Sequence, residues 1–370
     1  MSAITLFLCG DVMTGRGVDQ VLPRPSDPVL YEPYVESALE YVEMAEKTNG
    51  PIPKPVDYRY IWGDALDELE RMAPHARIIN LETSVTTSAK HALKDINYRM
   101  HPANAPVLAA AKIDCCVLAN NHVLDWSYPG LTETLATLHG MGIRTAGAGE
   151  NLTEALEPAV IESGSAARIL VFALGTSDCG IPCEWAASSS KAGIALLPEL
   201  SDVQAHRIAE RVRAVKRPGD VAVLSIHWGP NWGYKIPQQH RTLAHKLIDD
   251  CGVDIVHGHS SHHPKLIEVY NGKLILYGCG DFINDYEGIA GYEEFRSHLV
   301  LMYFVMVDPS TGKLQRLMMT PLEIQRFRLK HVARRNAEWL RDTLTREGKR
   351  TATEATLTAD NHLMLQWADG

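Results

Sequence analysis

Four histidines stand within seven residues in the segment His257-Gly258-His259-Ser260-Ser261-His262-His263, directly after the apolar run 253–256. Imidazole is the commonest metal-ligating side chain, so this density favours a metal site over a merely polar loop. We expect His259 and His262 to be ligands. His257 and His263 are more easily read as neighbours that support them.

Similar residues follow other apolar runs that have the character of strands. Five such runs end in side chains of metal-ligand type: Asp11, Glu82, Asn121-His122, His227 and the histidine cluster. In open α/β sheets, functional residues gather outside the carboxyl ends of the strands. Carboxylate, imidazole and amide oxygen together suit Zn²⁺, Mn²⁺ or Fe²⁺, and a carboxylate can bridge two ions about 3.5–4 Å apart. The sequence therefore predicts a divalent metal site with one or two ions.

The elements that must position these residues alternate between short apolar runs and amphipathic helical stretches, which indicates an α/β fold. We predict strands over 4–9, 77–80, 113–118, 169–174, 221–226, 253–256, 274–277, 298–307 and 314–322. Helices are expected over 61–72, 107–112, 131–138, 203–215, 240–250 and 330–346. A segment rich in Pro and Tyr, about 21–57, has the character of an excursion from the sheet. We expect one domain over 1–325, followed by a C-terminal helix and tail over 326–370.

Composition narrows the functional classes. The net charge of −9 gives no basic field for nucleic acid or an anionic membrane, and no apolar stretch is long enough to span a bilayer. The seven cysteines lie mostly beside apolar runs, which is typical of buried thiols and not of a disulfide framework. The apolar run Ile4–Leu8 near the start is short, and no basic segment precedes it, unlike in a secretory signal peptide. We therefore expect a cytoplasmic protein. Self-association into a homo-oligomer is left open.

The ordered motifs resemble those of the bacterial capsule-synthesis, or poly-γ-glutamate biosynthesis, proteins of CapA/PgsA type, which are relatives of the calcineurin-like metallophosphoesterases. They are Gly10-Asp11-Val12-Met13, Tyr60-Ile61-Trp62-Gly63-Asp64, Ile79-Asn80-Leu81-Glu82-Thr83, Leu118-Ala119-Asn120-Asn121-His122-Val123-Leu124-Asp125, Ser225-Ile226-His227-Trp228-Gly229, Val256-His257-Gly258-His259 and Gly278-Cys279-Gly280-Asp281-Phe282. The resemblance implies a calcineurin-like sandwich of two β-sheets flanked by helices, with a dinuclear site at the strand ends.

The resemblance also implies a role for each matching residue. Asp11 corresponds to the first-motif aspartate on one metal, and Glu82 stands at the place of the bridging carboxylate. Asn121 corresponds to the asparagine ligand of the Asn-His motif. His227 and His259 correspond to ligands of the second metal, and His262 to the final histidine, which returns to the first. His122 corresponds to the histidine that protonates the leaving group, with Asp125 to orient it.

The leading hypothesis is a metal-dependent hydrolase in which a metal-bound hydroxide attacks a phosphoester. One alternative keeps the metal and changes the bond to a γ-glutamyl amide, by hydrolysis or transfer. Another is a non-catalytic assembly subunit with a degenerate site, because Met13 stands where the wider superfamily usually has a histidine. The substrate is accordingly a small molecule or a γ-glutamyl compound.

Two groups of secondary candidates remain. Arg99 is either a substrate-binding residue that grips a phosphate or carboxylate at the mouth of the site, or an ordinary surface arginine. Asp281, Asn284 and Asp285 follow a glycine-rich turn and are candidates to support the metal ligands from behind.

Overall fold

A computed structural model of the chain describes residues 3–164 and 167–368. Its strands are β1 Ile4–Val12, β2 Ala76–Leu81, β3 Ser84–Val85, β4 Arg99–Met100, β5 Cys115–Val117, β6 Arg144–Ala146, β7 Ala148–Gly149, β8 Ala159–Glu162, β9 Arg168–Thr176, β10 Gly193–Ile194, β11 Leu196–Leu197, β12 Val221–His227, β13 Ile255–His259, β14 Ile267–Tyr270, β15 Lys273–Leu276, β16 Asp281–Ile283, β17 Leu299–Asp308, β18 Lys313–Ile324, β19 Leu329–His331, β20 Thr353–Leu357 and β21 Leu363–Trp367. The helices are α1 Gly17–Val21, α2 Ala38–Asn49, α3 Ala65–Met72, α4 Pro106–Ala110, α5 Ser127–Gly140, α6 Leu152–Leu156, α7 Asp202–Val215, α8 Gln238–Asp249 and α9 Arg334–Gly348.

Most strands belong to two large sheets. The first sheet has the order β20-β21-β18-β17-β1-β2-β5-β6, with β16 and β19 paired at its side. Strands β1, β2, β5 and β6 run parallel, whereas β17, β18, β20 and β21 add antiparallel pairs. The second sheet has the order β11-β9-β12-β13-β15-β14, with β8 beside β9, and is parallel from β11 to β15.

The two sheets pack face to face, and helices cover their outer faces. This arrangement buries both faces of strand β1, whose side chains alternate between two hydrophobic clusters. Leu6 and Leu8 face the second sheet, and Phe7 and Cys9 face the helices. Leu224 of the second sheet packs outward against α7 and α8. The predicted α/β sandwich of two sheets flanked by helices is confirmed.

Two segments add to the pattern that the sequence indicates. Helix α2 lies within the Pro- and Tyr-rich segment and begins at a capping box. The Ser37 side chain accepts from the backbone N–H of Glu40, and the Glu40 side chain accepts from the backbone N–H of Ser37. Beyond α9, β20 and β21 form a hairpin whose second strand pairs with β18. The hairpin and α9 bury Leu363 and Leu340 in the cluster between the sheets. Among the residues that the structure describes, no helix combines the length and apolar character needed to cross a membrane.

Candidate metal centre

Three buried carboxylates converge where β1, β2 and β16 meet. Asp11 lies near the end of β1, opposite Asn80 of β2 and Asp281 of β16, and Glu82 follows β2 directly. This approach requires Gly10, because a Cβ there would lie 1.6 Å from the main-chain oxygen of Gly280. The Asn80 amide donates to Asp11 Oδ1 over 2.7 Å and to Glu82 Oε2 over 3.3 Å.

Burial makes the negative charge of these carboxylates costly. The pKa of Asp11 is raised because the carboxyl is buried and Asp281 lies beside it. Burial, and then the charge of Asp11, raise the pKa of Glu82 well above its ordinary value. Such groups need a cation or protons to compensate them.

The histidines of the second sheet face this cluster. His227 ends β12 and His259 ends β13, and the parallel register puts the two side by side. Their Nδ1 atoms lie 2.7 Å apart, and His259 Nδ1 lies 3.9 Å from Asp11 Oδ1. On its other side, His227 Nε2 lies 2.9 Å from Asn121 Oδ1 and 3.9 Å from Glu82 Oε1. Burial holds the pKa of both imidazoles well below the ordinary value, so they are neutral, as metal ligands must be.

A second group forms around His262. Its Nδ1 lies 2.8 Å from Asp281 Oδ1, and the other oxygen of Asp281 accepts from the Asn284 amide over 2.7 Å. Burial lowers the pKa of His262, but the neighbouring Asp281 and Asp11 outweigh it and raise the pKa above its ordinary value.

The donor atoms fit a divalent cation. Among the described residues, Asp11, His227 and His259 form one group and Asp11, His262 and Asp281 another, each with its ligand atoms within 4.8 Å of one another. The two groups share Asp11, as expected for neighbouring ions. Nitrogen donors dominate the first group and oxygen donors the second, which together suit Zn²⁺, Mn²⁺ or Fe²⁺.

Met13 contacts Tyr286, a neighbour of His262. Its side chain is fully buried, and its sulfur accepts from the Tyr286 hydroxyl over 3.6 Å. The Tyr286 ring in turn packs edge-on against His262, with 5.3 Å between ring centroids. Asp281, which the sequence indicated only as a supporting residue, is the carboxylate grouped with Asp11 and His262.

His122 forms a dyad with Asp125 at the edge of the cluster. Its Nδ1 lies 2.6 Å from Asp125 Oδ2, and its Nε2 lies 3.8 Å from Glu82 Oε1. Asp125 also accepts from the Tyr98 amide over 2.6 Å and from Lys94 Nζ over 2.7 Å, so its position is fixed. Burial lowers the pKa of His122 to about 4 even though Asp125 opposes the shift.

Arg99 is not brought into contact with these residues. Its guanidinium donates to the main-chain oxygens of Ser88 and Asp27, over 3.1 and 3.0 Å, and lies 3.9 Å above the Trp126 ring. Sequence reasoning gave no role to Asn80 or Lys94. Asn80 lies two residues before Glu82 at the end of β2, and this spacing is a signal for Asn80, whereas nothing local indicates Lys94.

A cavity of about 1050 Å³ adjoins the His262 side of the cluster. Trp232, Asn284 and Tyr286 belong to its wall, and the rings of Trp232 and Tyr286 contact His262. Asn284 of this wall donates to Asp281, so the cavity lies next to the second group.

Comparison with known proteins gives consistent matches. Residues 5–286 match the family described as bacterial capsule synthesis protein PGA_cap. A probable polyglutamine synthesis accessory protein of Mycobacterium tuberculosis is 48% identical over 363 residues, which are 97% of this chain and 95% of that protein. The PGA biosynthesis protein CapA of Bacillus subtilis is 27% identical over 85% of this chain and 70% of its own length. The capsule biosynthesis protein CapA of Bacillus anthracis is 22% identical over 87% of this chain and 68% of its own.

Proposed function

This chain belongs to the family of bacterial capsule synthesis protein PGA_cap, and from that premise we propose that it is a metal-dependent hydrolase that cleaves a phosphoester. The membership confirms the resemblance that the ordered motifs indicated. The observation that carries the proposal is the convergence of Asp11, Glu82, His227, His259 and His262, all buried, from the strand ends of two different sheets.

In the proposed site, Asp11, Asp281 and His262 would hold one ion, and His227, His259 and Asn121 a second, with Glu82 beside both groups. A divalent ion, when bound, supplies Lewis acidity and a water that ionises near neutral pH. Neutral histidines and buried carboxylates suit this task, because the ion offsets the charge that burial otherwise disfavours.

His122 handles the proton of the leaving oxygen in this proposal. Its Nδ1 faces Asp125, so its Nε2 is the atom left free to face the substrate. In the absence of substrate, His122 is neutral near pH 7, since its pKa is about 4. The negative charge of a phosphoester beside it would raise that pKa and favour the protonated form that a general acid needs.

The test is metal content and phosphate release by the full chain. Protein stripped with a chelator is reloaded with Mn²⁺, Zn²⁺ or Fe²⁺ and assayed on nitrophenyl phosphate mono- and diesters. His227→Ala and His259→Ala should abolish both metal content and turnover, whereas exposed Glu70→Gln on α3 should change neither. Full turnover in either histidine variant after chelation would overturn the proposal.

The second candidate is hydrolysis or transfer of a γ-glutamyl amide. It is favoured by the relatives, whose names refer to polyglutamine synthesis and PGA biosynthesis. The same metal-loaded protein separates the two candidates when phosphate release is compared with glutamate and amine release from γ-glutamyl anilides. Amide cleavage without phosphate release would select this candidate.

A non-catalytic assembly role is the third candidate. The Mycobacterium tuberculosis relative is named as an accessory protein, and Met13 stands where the resemblance implies a ligating histidine. Elemental analysis separates this role from the others. Metal-free native protein whose melting temperature ignores added metal and chelator would support it, since an ion bound only by the native state raises that temperature.

A further inference from the structure

Strands β12 and β13 carry a second polar pair one pleat before the two candidate ligands. The register places Ser225 opposite His257, and His227 opposite His259. Side chains two residues apart point to the same face of a strand, so all four meet on the side that faces β1. All four are buried, with exposures of 0 or 1%.

The first hydrogen bond of this group fixes the proton on His257. Its Nε2 lies 2.7 Å from the main-chain oxygen of Cys9. A carbonyl oxygen only accepts, so the proton must be on His257 Nε2. Among the described residues, the hydrogen-bond partners of His257 are this carbonyl and the Ser225 hydroxyl. Both are uncharged, so the buried ring is neutral and its Nδ1 carries a lone pair.

The position of this lone pair determines the donor and the acceptor in the other two hydrogen bonds. Ser225 Oγ lies 3.1 Å from His257 Nδ1 and 2.8 Å from His259 Nε2. A hydroxyl can donate only one hydrogen bond, and Ser225 donates it to the unprotonated Nδ1 of His257. His259 Nε2 must therefore donate to Ser225, which leaves the lone pair of His259 on Nδ1, the atom that faces His227 and Asp11.

The backbone of β1 explains why the Cys9 carbonyl can accept the first of these hydrogen bonds. The pairing of β1 with β2 is irregular between Leu8 and Asp11, and Cys9 lies within that irregularity. Within such an irregularity a carbonyl can accept from another sheet, and His257 of the second sheet donates to Cys9 O over 2.7 Å.

We propose that Ser225 and His257 are positioning residues that hold His259 in its Nε2–H tautomer and so direct its Nδ1 lone pair at the metal ion. This inference rests on the proposed metal centre, but the tautomer itself is a property of the protein without metal. The groups behind a ligating histidine typically govern metal affinity by 10–100-fold.

The first test reads the tautomer directly in chelator-treated full chain labelled with ¹⁵N-histidine. Long-range ¹H–¹⁵N correlation spectra should give a protonated Nε2 and a bare Nδ1 for both His257 and His259. Assignment comes from the loss of one ring's signals in His257→Gln and His259→Gln. A protonated Nδ1 on His259 in the wild-type protein overturns the inference, whether or not the protein binds metal.

The second test measures the dissociation constant for Zn²⁺ and Mn²⁺ by competition with a chromophoric chelator. Ser225→Ala should weaken binding about 10–100-fold, and Ser225→Thr, which keeps the hydroxyl, should restore it to about wild-type strength. Ser26→Ala is the matched control, because it also removes a buried serine hydroxyl but not the one that contacts His257 and His259.

The outcomes separate the two hypotheses. Unchanged affinity in a folded Ser225→Ala variant overturns the inference and leaves the metal centre intact. Wild-type protein that binds no metal overturns the proposed function, while the tautomer spectrum still decides the inference. Should Ser225→Ala fail to fold by circular dichroism, the wild-type tautomer spectrum decides the inference.

Discussion

Glu82→Gln should remove the stabilisation that metal gives this protein while leaving the metal-free protein almost unchanged. The Glu82 side chain is 2% exposed, and its Oε1 lies 3.8 and 3.9 Å from His122 and His227. Burial and Asp11 raise its pKa well above the ordinary value. Burial and the charge of Asp11 thus disfavour the ionised carboxyl when no metal is bound, and glutamine closely imitates the protonated carboxyl in size and polarity.

The size of the effect follows from linkage. An ion present at 100 times its dissociation constant stabilises the native state by about 2.7 kcal/mol. With an unfolding entropy of about 2.1 cal/mol/K per residue, 370 residues give about 0.8 kcal/mol/K, so the ion should raise the melting temperature by about 3–4 °C. A 100-fold loss of affinity would reduce the stabilisation to about 0.4 kcal/mol, less than 1 °C.

The assay is thermal unfolding followed by circular dichroism, with chelator or with a fixed excess of Mn²⁺ or Zn²⁺. Glu70→Gln removes an exposed carboxylate of α3 and should keep the wild-type shift. An equal metal-induced shift in Glu82→Gln and in the wild-type protein would refute the argument that Glu82 faces the ion.

Three further variants test other parts of the structure. His122→Ala should lower turnover by about 10²–10⁴-fold without lowering metal content, and a parallel loss of metal would reassign His122 as a ligand. Leu363→Ala removes a fully buried side chain of β21 and should lower the free energy of unfolding in urea by about 2–5 kcal/mol, whereas Leu93→Ala at a 98% exposed position should not. Arg16→Met should lower the free energy of unfolding by about 3–5 kcal/mol, because the substitution leaves the buried Asp285 and Glu32 carboxylates without their cation. Stability equal to wild type would show that these ion pairs contribute little.

The strand ends of the centre could be predicted from sequence because an apolar run followed by a polar residue is a local pattern. Asp11, His227 and His259 carry it, and the structure brings them together in one group. Asp281 follows a glycine-rich turn and begins a short strand, so its pattern is weaker, and its place beside Asp11 depends on β16 pairing with β1. The direction of the Arg99 guanidinium likewise depends on segments distant in sequence, which spacing does not reveal.

The difference between local patterns and distant contacts also explains which elements of the fold could be predicted. The strands of the sandwich carry long apolar runs, and most predicted strands lie within observed ones. The hairpin of β20 and β21 consists of short strands whose burial depends on β18 and α9, so periodicity within the segment is faint. Helix α2 had a local signal in Ser37 and Glu40, but the surrounding prolines and tyrosines favoured an irregular segment.

The central position of β1 in the first sheet has a consequence for synthesis on the ribosome. Strand β1 emerges first but lies between β2 and β17, and β17 begins only at Leu299. At about 5–20 residues per second, translation reaches that point roughly 15–60 s after β1 has been made. Until then the apolar strand has one open edge, which is a hazard for intermolecular pairing. A nascent chain of this protein should therefore depend on chaperones for most of its translation.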